Sequence, residues 1–526
     1  MKLNSEKQET QTNRNSIKLL ASSSIVSLWT FLSRVLGLVR DIVFTSLLGA
    51  GVALDAYVVI TKIPNVFRRI FAEGAFNQAF VPVLSEYKEN SDESEVKVLV
   101  NNVFGVLSSV LFLLTLIVLL VTPAFIFIFA PGFYSEPIKN ELATDILRIT
   151  FPYLLLVSLV AFSGSIMNTY GKFSVPALTP VFYNLTLVVT AIWIAPLYEV
   201  PIYAIAWGMF VAGCIQLLIQ VYPLLKLKLF PSFSFNLNHP GVRKVLYLMI
   251  PGVIAGGVSQ LNMLVDTILA SFLPTGSPTW LYVSDRLMQL PLGIFAIAIG
   301  TVILPKLSSL HQNSDQEGFS KTMDWSLRLV MLIGIPSILG LVLLSEPIIL
   351  TLFERGEFLA TDTTQASYSL IALALGLIAF MLIKVLTPSF FARQNPQIPL
   401  KVAMASMIVN AFLAWLLAFH LGLNHVGLAM ASSIAAYFSI LIFLFILLKN
   451  KIYEVQKGWI VFIGRIVVAC LLMALIVHFM NMETFAWREL EQVERFIRLF
   501  LVIISAVAGY LVMLWVLGLR LAHLKG

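Results

Sequence analysis

Four arginines stand where a very apolar chain has little use for charge. Arg34 and Arg40 lie in SRVLGLVRD, Arg68 in NVFRRIFAEG and Arg286 in YVSDRLMQLP, each within or beside a long apolar run. A charged side chain at the centre of a bilayer costs about 2.5–3.5 kcal/mol on insertion scales, so such groups face a protein interior or a water-filled cavity. Guanidinium stays charged at every physiological pH and forms paired hydrogen bonds to phosphate oxygens. If these four converge, they outnumber the carboxylates free to neutralise them. The surplus suits a phosphate or pyrophosphate group; a site for organic cations would carry spare carboxylates instead.

Other charges accompany them. Asp41 follows Arg40 directly, and Asp55, Lys62, Arg69 and Glu73 recur at steps of seven, seven and four. On a straight helix these four share one face, with Arg69 and Glu73 placed to pair, while Arg68 points elsewhere. Pro64 lies among them and Gly37 lies between Arg34 and Arg40, so a kink or bend would change which groups meet. Asp285 adjoins Arg286, and Lys384 lies in MLIKVLTPSFF. The competing reading for all of these is an internal salt bridge or a topology anchor. It is strongest for Arg69 with Glu73 and for Asp285 with Arg286. Asp266, with no neighbouring cation in sequence, is a candidate ligand for Na⁺ or a proton, and Asn410 is a candidate partner for it.

Enzyme signatures are missing. The chain has no GxxxxGK[ST] phosphate loop, no HExxH and no GxSxG. GAGVALD is rich in glycine but joins two apolar runs. None of the six histidines has a partner at motif spacing, and Cys214 and Cys470 sit in apolar runs as small hydrophobes. No cofactor is expected beyond a coupling ion, Na⁺ or H⁺.

The elements that must position these residues are membrane helices. Of 526 residues, 59% are hydrophobic and only 12% charged, against about 25% charged in soluble domains. Charge-free runs such as Val103–Ile128 are long enough to span a bilayer as helices, which satisfy their own backbone there. The runs give about fourteen spans: 18–49, 53–84, 98–129, 144–169, 176–196, 202–224, 245–273, 278–308, 323–353, 364–391, 399–420, 426–448, 459–481 and 496–518. Residues 1–16 read as a disordered cytoplasmic tail rather than a cleavable signal. One set of alternate loops holds most of the basic residues, among them Lys88, Lys172, Arg243, Lys321 and Lys451, while the other holds few, Lys139, Arg355, Arg488 and Arg495. The positive-inside rule therefore places both termini in the cytoplasm. The net charge of +7 marks topology, not nucleic-acid binding.

The chain also repeats itself. PAFIFIFAPG, with Pro123 and Gly132, recurs as EPIILTLFERG with Pro347 and Gly356; Pro82 recurs as Pro305, and Pro176 as Pro399. These offsets of 223 or 224 predict two six-helix lobes, 17–224 and 225–448, in parallel orientation. Residues 449–526, with two further spans, fall outside the repeat.

SRVLGLVRD, LDAYVVITKIPNVFRRIFAEGAFNQAFVPVLSEY and SDRLMQLPLGIFAIAIGTVILP together resemble the MurJ (MviN) family of lipid II flippases, within the multidrug/oligosaccharidyl-lipid/polysaccharide exporter superfamily. The resemblance covers residues 17–520. It implies two lobes around a central cavity, and two C-terminal helices that form a hydrophobic groove for a lipid tail. It implies that Arg34, Arg40, Arg68 and Arg286 are cavity arginines, that Asp41 and Asp55 are acids beside them, and that Glu73 is a gate acid. Asp266 and Asn410 are similar to part of a Na⁺ site in some members, where Ala414 replaces a second aspartate; Gln289 stands where some relatives have glutamate. The implied function is transfer of the undecaprenyl-pyrophosphate-linked peptidoglycan precursor, lipid II, across a bacterial inner membrane by alternating access, driven by membrane potential or an ion gradient. The expected partners are lipid II and membrane lipids, with cell-wall synthesis machinery a further candidate and nucleic acid excluded. A flippase for another polyprenyl-linked glycan, an intramembrane glycosyl or phosphoglycosyl transferase, and a membrane scaffold are the rival readings.

Overall fold

In a computed structural model of the chain, residues 2–69 and 75–519 are described, with side chains described from Ser24 onward except at 75, 254–256, 258–259, 296–298 and 301. Regular structure among the described residues is helical. Ten helical stretches there are long and apolar enough to cross a bilayer, and the chain is a polytopic all-α membrane protein. The ten overlap the third to sixth and the ninth to fourteenth spans read from sequence. The other four spans are the charged ones, which hold Arg34, Arg40, Asp41, Asp55, Lys62, Arg68, Asp266, Asp285 and Arg286.

The chain forms two compact units, Met1–Leu48 with Val52–Phe272, and Leu273–Gly526 with Gly49–Gly51. The first contains α1 (Lys2–Leu48), α2 (Val52–Arg68), α3 (Ala75–Asn90), α4 (Glu93–Leu120), α5 (Thr122–Phe129), α6 (Pro137–Thr150), α7 (Tyr153–Thr169), α8 (Ser174–Val189), α9 (Pro201–Lys226) and α10 (Pro240–Ser271). The second contains α11 (Ser277–Pro291), α12 (Ile297–Gln312), α13 (Gln316–Leu343), α14 (Ser345–Phe353), α15 (Ala360–Leu375), α16 (Leu377–Ala392), α17 (Gln397–Ala414), α18 (Asn424–Lys449), α19 (Trp459–Met480), α20 (Thr484–Glu489) and α21 (Gln492–Val516).

The repeat extends to nearly every element boundary. Helices α4 and α13 are both 28 residues long and begin 223 positions apart, at 93 and 316. Helices α9 and α18 are both 26 residues long and begin at 201 and 424, again 223 apart. Even the π-helical turn after α8, Thr190–Ile194, returns after α17 as Trp415–His420.

Several spans differ in detail from the sequence reading. Of the second span, α2 contains Pro64 and runs to Arg68 and α3 begins at Ala75, while residues 70–74 lie outside the described residues. The third breaks at Val121, just before Pro123, and the ninth breaks at Leu344, just before Pro347. Proline lacks the amide hydrogen that a continuing helix needs but is tolerated in a first turn, so each break falls just upstream of it. The eighth span is α11, a π-helical turn at Leu292–Ala296 and α12. The tail read as disordered continues α1 from Lys2; it holds no Gly or Pro, and its Lys, Glu and Gln residues favour helix.

Each unit has its own core. In the first, Phe76, Phe80 and Phe162 stack, with Phe80 and Phe162 5.2 Å apart. In the second, Leu382, Val385 and Phe390 pack against Phe443, while Ile466 and Met473 of α19 pack on Val502 and Ala506 of α21. Helix α10, the opening helix of the second repeat, packs in the first unit along α3. The packing boundary is therefore Phe272/Leu273, one helix beyond the 224/225 boundary of the repeat. The C-terminal end of α10 also meets the turn after α5, Pro131–Ser135, where a Cβ on Gly132 would lie 2.3 Å from the Ser271 carbonyl oxygen and the Gly132 N–H donates to Ser271 Oγ at 3.0 Å. Small residues let membrane helices approach this closely.

Candidate anion site and C-terminal groove

Residues 24–69 carry five cations, Arg34, Arg40, Lys62, Arg68 and Arg69, against two acids, Asp41 and Asp55. Helices α1 and α8 pack side by side and fix the central member. Arg40 donates from Nε and Nη2 to Asp41 Oδ1 at 2.9 and 2.6 Å, and from Nη1 to Asn184 Oδ1 on α8 at 3.1 Å. The Asn184 amide donates back to the carbonyl oxygen and hydroxyl of Ser33 at 3.0 and 3.3 Å. The Arg40 guanidinium also lies 5.9 Å from the centre of the Phe44 ring. Asp41 and Asp55 are fully buried.

Arg68 closes α2, its Nε donating to Asn65 Oδ1 at 3.3 Å. Arg40, Arg68 and Asp41 all lie within electrostatic reach of Tyr183, one position before Asn184. The structure thus brings two of the four sequence-selected arginines, and Asp41 with them, near one tyrosine. Arg34 is on the exposed side of α1 and Arg69 is exposed, while Lys62 is half-buried on α2. Glu73, and with it the Arg69–Glu73 pairing, lies outside the described residues. Asp266 is half-buried on α10 of this unit.

The remaining candidates belong to the second unit. Asp285 and Arg286 are half-buried on α11, and Gln289 donates to Asp285 Oδ2. Trp280 and Ser284 hold this helix to α15, through Asp362 Oδ1 at 3.0 Å and the Ala366 carbonyl oxygen at 2.7 Å. Lys384 is exposed on α16. Asn410 is buried on α17 and accepts from Ser432 Oγ at 3.4 Å.

A second feature of this unit is a cavity of about 1100 Å³ between α13 and the α19–α21 pair. Its walls are almost wholly apolar, with Leu332, Pro336 and Gly340 on one side and Met473, Ala506 and Leu511 on the other. Tyr510 donates to the Leu332 carbonyl oxygen at 2.6 Å across it.

Sequence reading missed Asn184 and Tyr183. The signal was present: a lone asparagine in the apolar run VFYNLTLVV is costly in a membrane unless it has partners.

A family model described as "Lipid II flippase MurJ" matches residues 44–500 of the chain. The chain belongs to the MurJ family. It is 42% identical to the probable lipid II flippase MurJ of Vibrio cholerae serotype O1, over 97% of this chain and 98% of that one. Haemophilus influenzae has a relative of the same description at 39% identity, covering 94% and 99%. The lipid II flippase MurJ of Burkholderia cenocepacia is 35% identical over 95% and 98%. Among solved structures, "Lipid II flippase MurJ, inward closed conformation" superposes with a TM-score of 0.77 at 28% identity, covering 93% of this chain and 97% of that one. An inward-facing multidrug resistance MATE transporter of the MOP superfamily superposes with a TM-score of 0.64 at 14% identity, a likeness of fold alone. This MurJ-family chain thus shares that fold, with Arg34, Arg40 and Arg68 on α1 and α2.

Proposed function

We propose that this protein carries lipid II from the cytoplasmic to the periplasmic leaflet of a bacterial inner membrane, with both termini in the cytoplasm. The observation that carries the reading is the excess of arginine on α1 and α2, with Arg40 held in place by Asp41 and Asn184; family membership supplies the substrate class. Arginines of this kind match the pyrophosphate in charge and geometry. The apolar groove beside α19 and α21 suits a polyisoprenoid tail. In this reading Arg34, Arg40, Arg68 and Arg286 take the head group, with Asp41 and Asp55 limiting the local charge, and Glu73 and Lys384 serve the gate. The two units rock to alternate access. Membrane potential, worth about 2.3 kcal/mol per charge per 100 mV, or an ion gradient resets them; Asp266 and Asn410 are the residues we propose for Na⁺ or H⁺. The protein transports and does not transform its substrate.

The test is exposure of the lipid-linked precursor on the outer leaflet in cells where this is the sole flippase. Exposure that collapses with Arg40→Ala at equal expression supports the reading. Exposure that survives both Arg40→Ala and depletion of the protein overturns it.

A further inference from the structure

The segment that follows α18 crosses the cytoplasmic end of α13 before turning into α19, and one buried carboxylate collects it. Asp324 Oδ1 accepts from Tyr453 Oη and Trp459 Nε1, both at 2.7 Å, and from the backbone N–H of Gln456 at 3.3 Å. Its Oδ2 accepts from Arg328 Nε at 2.6 Å. Arg328 then donates to the Lys457 carbonyl oxygen at 2.9 Å and lies over the rings of Trp459 and Phe462. One turn earlier, Ser320 exchanges hydrogen bonds with the Glu454 backbone. The four donors to Asp324 come from α13 itself, the crossing segment and the first residue of α19.

The first half of the chain contains the same device. Asn101, 223 positions before Asp324 (101 and 324), accepts from the Ser232 amide at 2.9 Å, where the segment after α9 crosses α4. Next to it, Asn102 accepts from Ser234 Oγ at 2.7 Å. Gly105, the counterpart of Arg328, lets the crossing backbone lie against the helix: a Cβ there would meet the Ser234 carbonyl oxygen at 2.0 Å. The repeat thus includes a seat for the segment that leaves it. In the first copy the seated segment leads into α10; in the second it leads into α19, a wall of the groove.

We infer that Asp324 is the positioning residue of the groove, seating the 452–459 segment so that α19, and α21 packed on it, stand at a fixed distance from α13. Leu332, on the groove wall, lies eight residues further along α13, about 12 Å away, so Asp324 acts through the helices and not by contact with a ligand. At the opposite end of the pair, Arg488 binds Glu354 at 3.0 Å and Thr484 binds Glu346 at 3.0 Å. The groove is therefore tied at both ends, and its width is set before any chain enters. The consequence for a long polyisoprenoid rests on the tail-groove reading given above.

The experiment uses the full chain in lipid nanodiscs, with spin labels at Ser337 and Leu511 on opposite groove walls, and two probes, undecaprenyl pyrophosphate and farnesyl pyrophosphate. Wild type and Asp324→Asn, which keeps the acceptor oxygen that Asn101 uses in the first copy, are expected to show one narrow label distance and to prefer the long probe. Asp324→Ala is expected to broaden the distance, to weaken the long probe about tenfold and to leave the short probe unchanged. Tyr453→Phe, which removes one donor, is expected to broaden the distance to a smaller degree and serves if Asp324→Ala does not fold. A narrow distance and retained chain-length preference in both variants overturn the inference. So does equal weakening of both probes, the mark of a residue needed only for folding. If wild type shows no chain-length preference, the tail-groove reading fails, and the label distances alone decide whether Asp324 sets the groove.

Discussion

Arg40 and Asp41 are neighbours in sequence, and both Nε and Nη2 of the arginine converge on a single oxygen of the aspartate, at 2.9 and 2.6 Å. Consecutive residues on a helix point about 100° apart, so the guanidinium curls around α1 to make this contact. Its third nitrogen is then turned to α8, where Asn184 accepts at 3.1 Å. The arginine is oriented by two helices at once, so its contribution to stability and its proposed part in transport can be tested apart.

Asn184→Ala removes the α8 anchor and the return bonds to Ser33. A loss of about 1–3 kcal/mol in stability is expected from a lost partner of a charged group. Precursor exposure should fall further than the thermal transition of the purified protein implies, because Arg40 loses its aim. Equal losses in both would assign Asn184 to packing alone.

The pair can be dissected by a double-mutant cycle. Asp41 is fully buried and Arg40 is 18% exposed, so Arg40→Met alone or Asp41→Leu alone should destabilise by about 3–5 kcal/mol, and the double variant much less. The double variant should be well folded by thermal unfolding and inactive in transport. Transport by that variant would remove Arg40 from the substrate path.

Gly132→Ala tests the seat of α10. The added methyl would meet backbone atoms of Ser271 and Phe272 at 2.3–2.5 Å, so helix or loop must shift, at about 1–3 kcal/mol. The measurement is the melting temperature in detergent. An unchanged value would show that this contact is slack.

Filling the groove should separate tail from head. Gly340 lines it, and a Cβ there would meet only the Met473 methyl at 3.4 Å. Gly340→Phe is expected to fold normally, to bind farnesyl pyrophosphate as the unaltered protein does and to lose preference for the longer chain in direct binding. Preserved preference would place the tail elsewhere.

The seat of the 452–459 segment should be insensitive to pH over the physiological range. Burial first, then the hydrogen bond to and the negative charge of Asp324, raises the Tyr453 hydroxyl well above its ordinary value of 10.0. A group raised in the folded state contributes stability that is whole below its unfolded value and declines as pH climbs through the folded one. Melting temperature should therefore lose the Tyr453 contribution only above about pH 10, and Tyr453→Phe should abolish that alkaline decline. A decline of the same size in the variant would assign it to other groups.

Charge inside apolar runs was the most legible signal in the sequence. Arg40, Asp41 and Asp55 are buried or partly buried on α1 and α2, whereas Arg34 and Lys384, from similar runs, are exposed; composition marks the charge but not the way it faces. The duplication was legible too, since prolines and glycines at breaks must recur where helices break. The breaks themselves were not, because apolarity is averaged over a window while Pro123 and Pro347 act on single hydrogen bonds. Asp324 was passed over for a different reason. Next to Arg328 at four residues' spacing it reads as a solvated pair, and its other partners, Tyr453 and Trp459, are remote in sequence. Sequence periodicity reports which face a residue occupies but not which distant segment reaches it.

The placement of α10 has a consequence for biosynthesis. A ribosome that has just finished α9 has completed one copy of the duplicated gene segment, yet the first packed unit still lacks a helix. Domains tend to form as units from the N-terminus as the chain emerges. Here the first unit includes α10 and has all its helices only once synthesis has passed Phe272, when the second copy has already begun. The genetic unit and the assembly unit are out of step by one membrane crossing. A chain divided for co-expression as two fragments should therefore reassemble when cut after Phe272, and strand α10 on the wrong fragment when cut after Lys226.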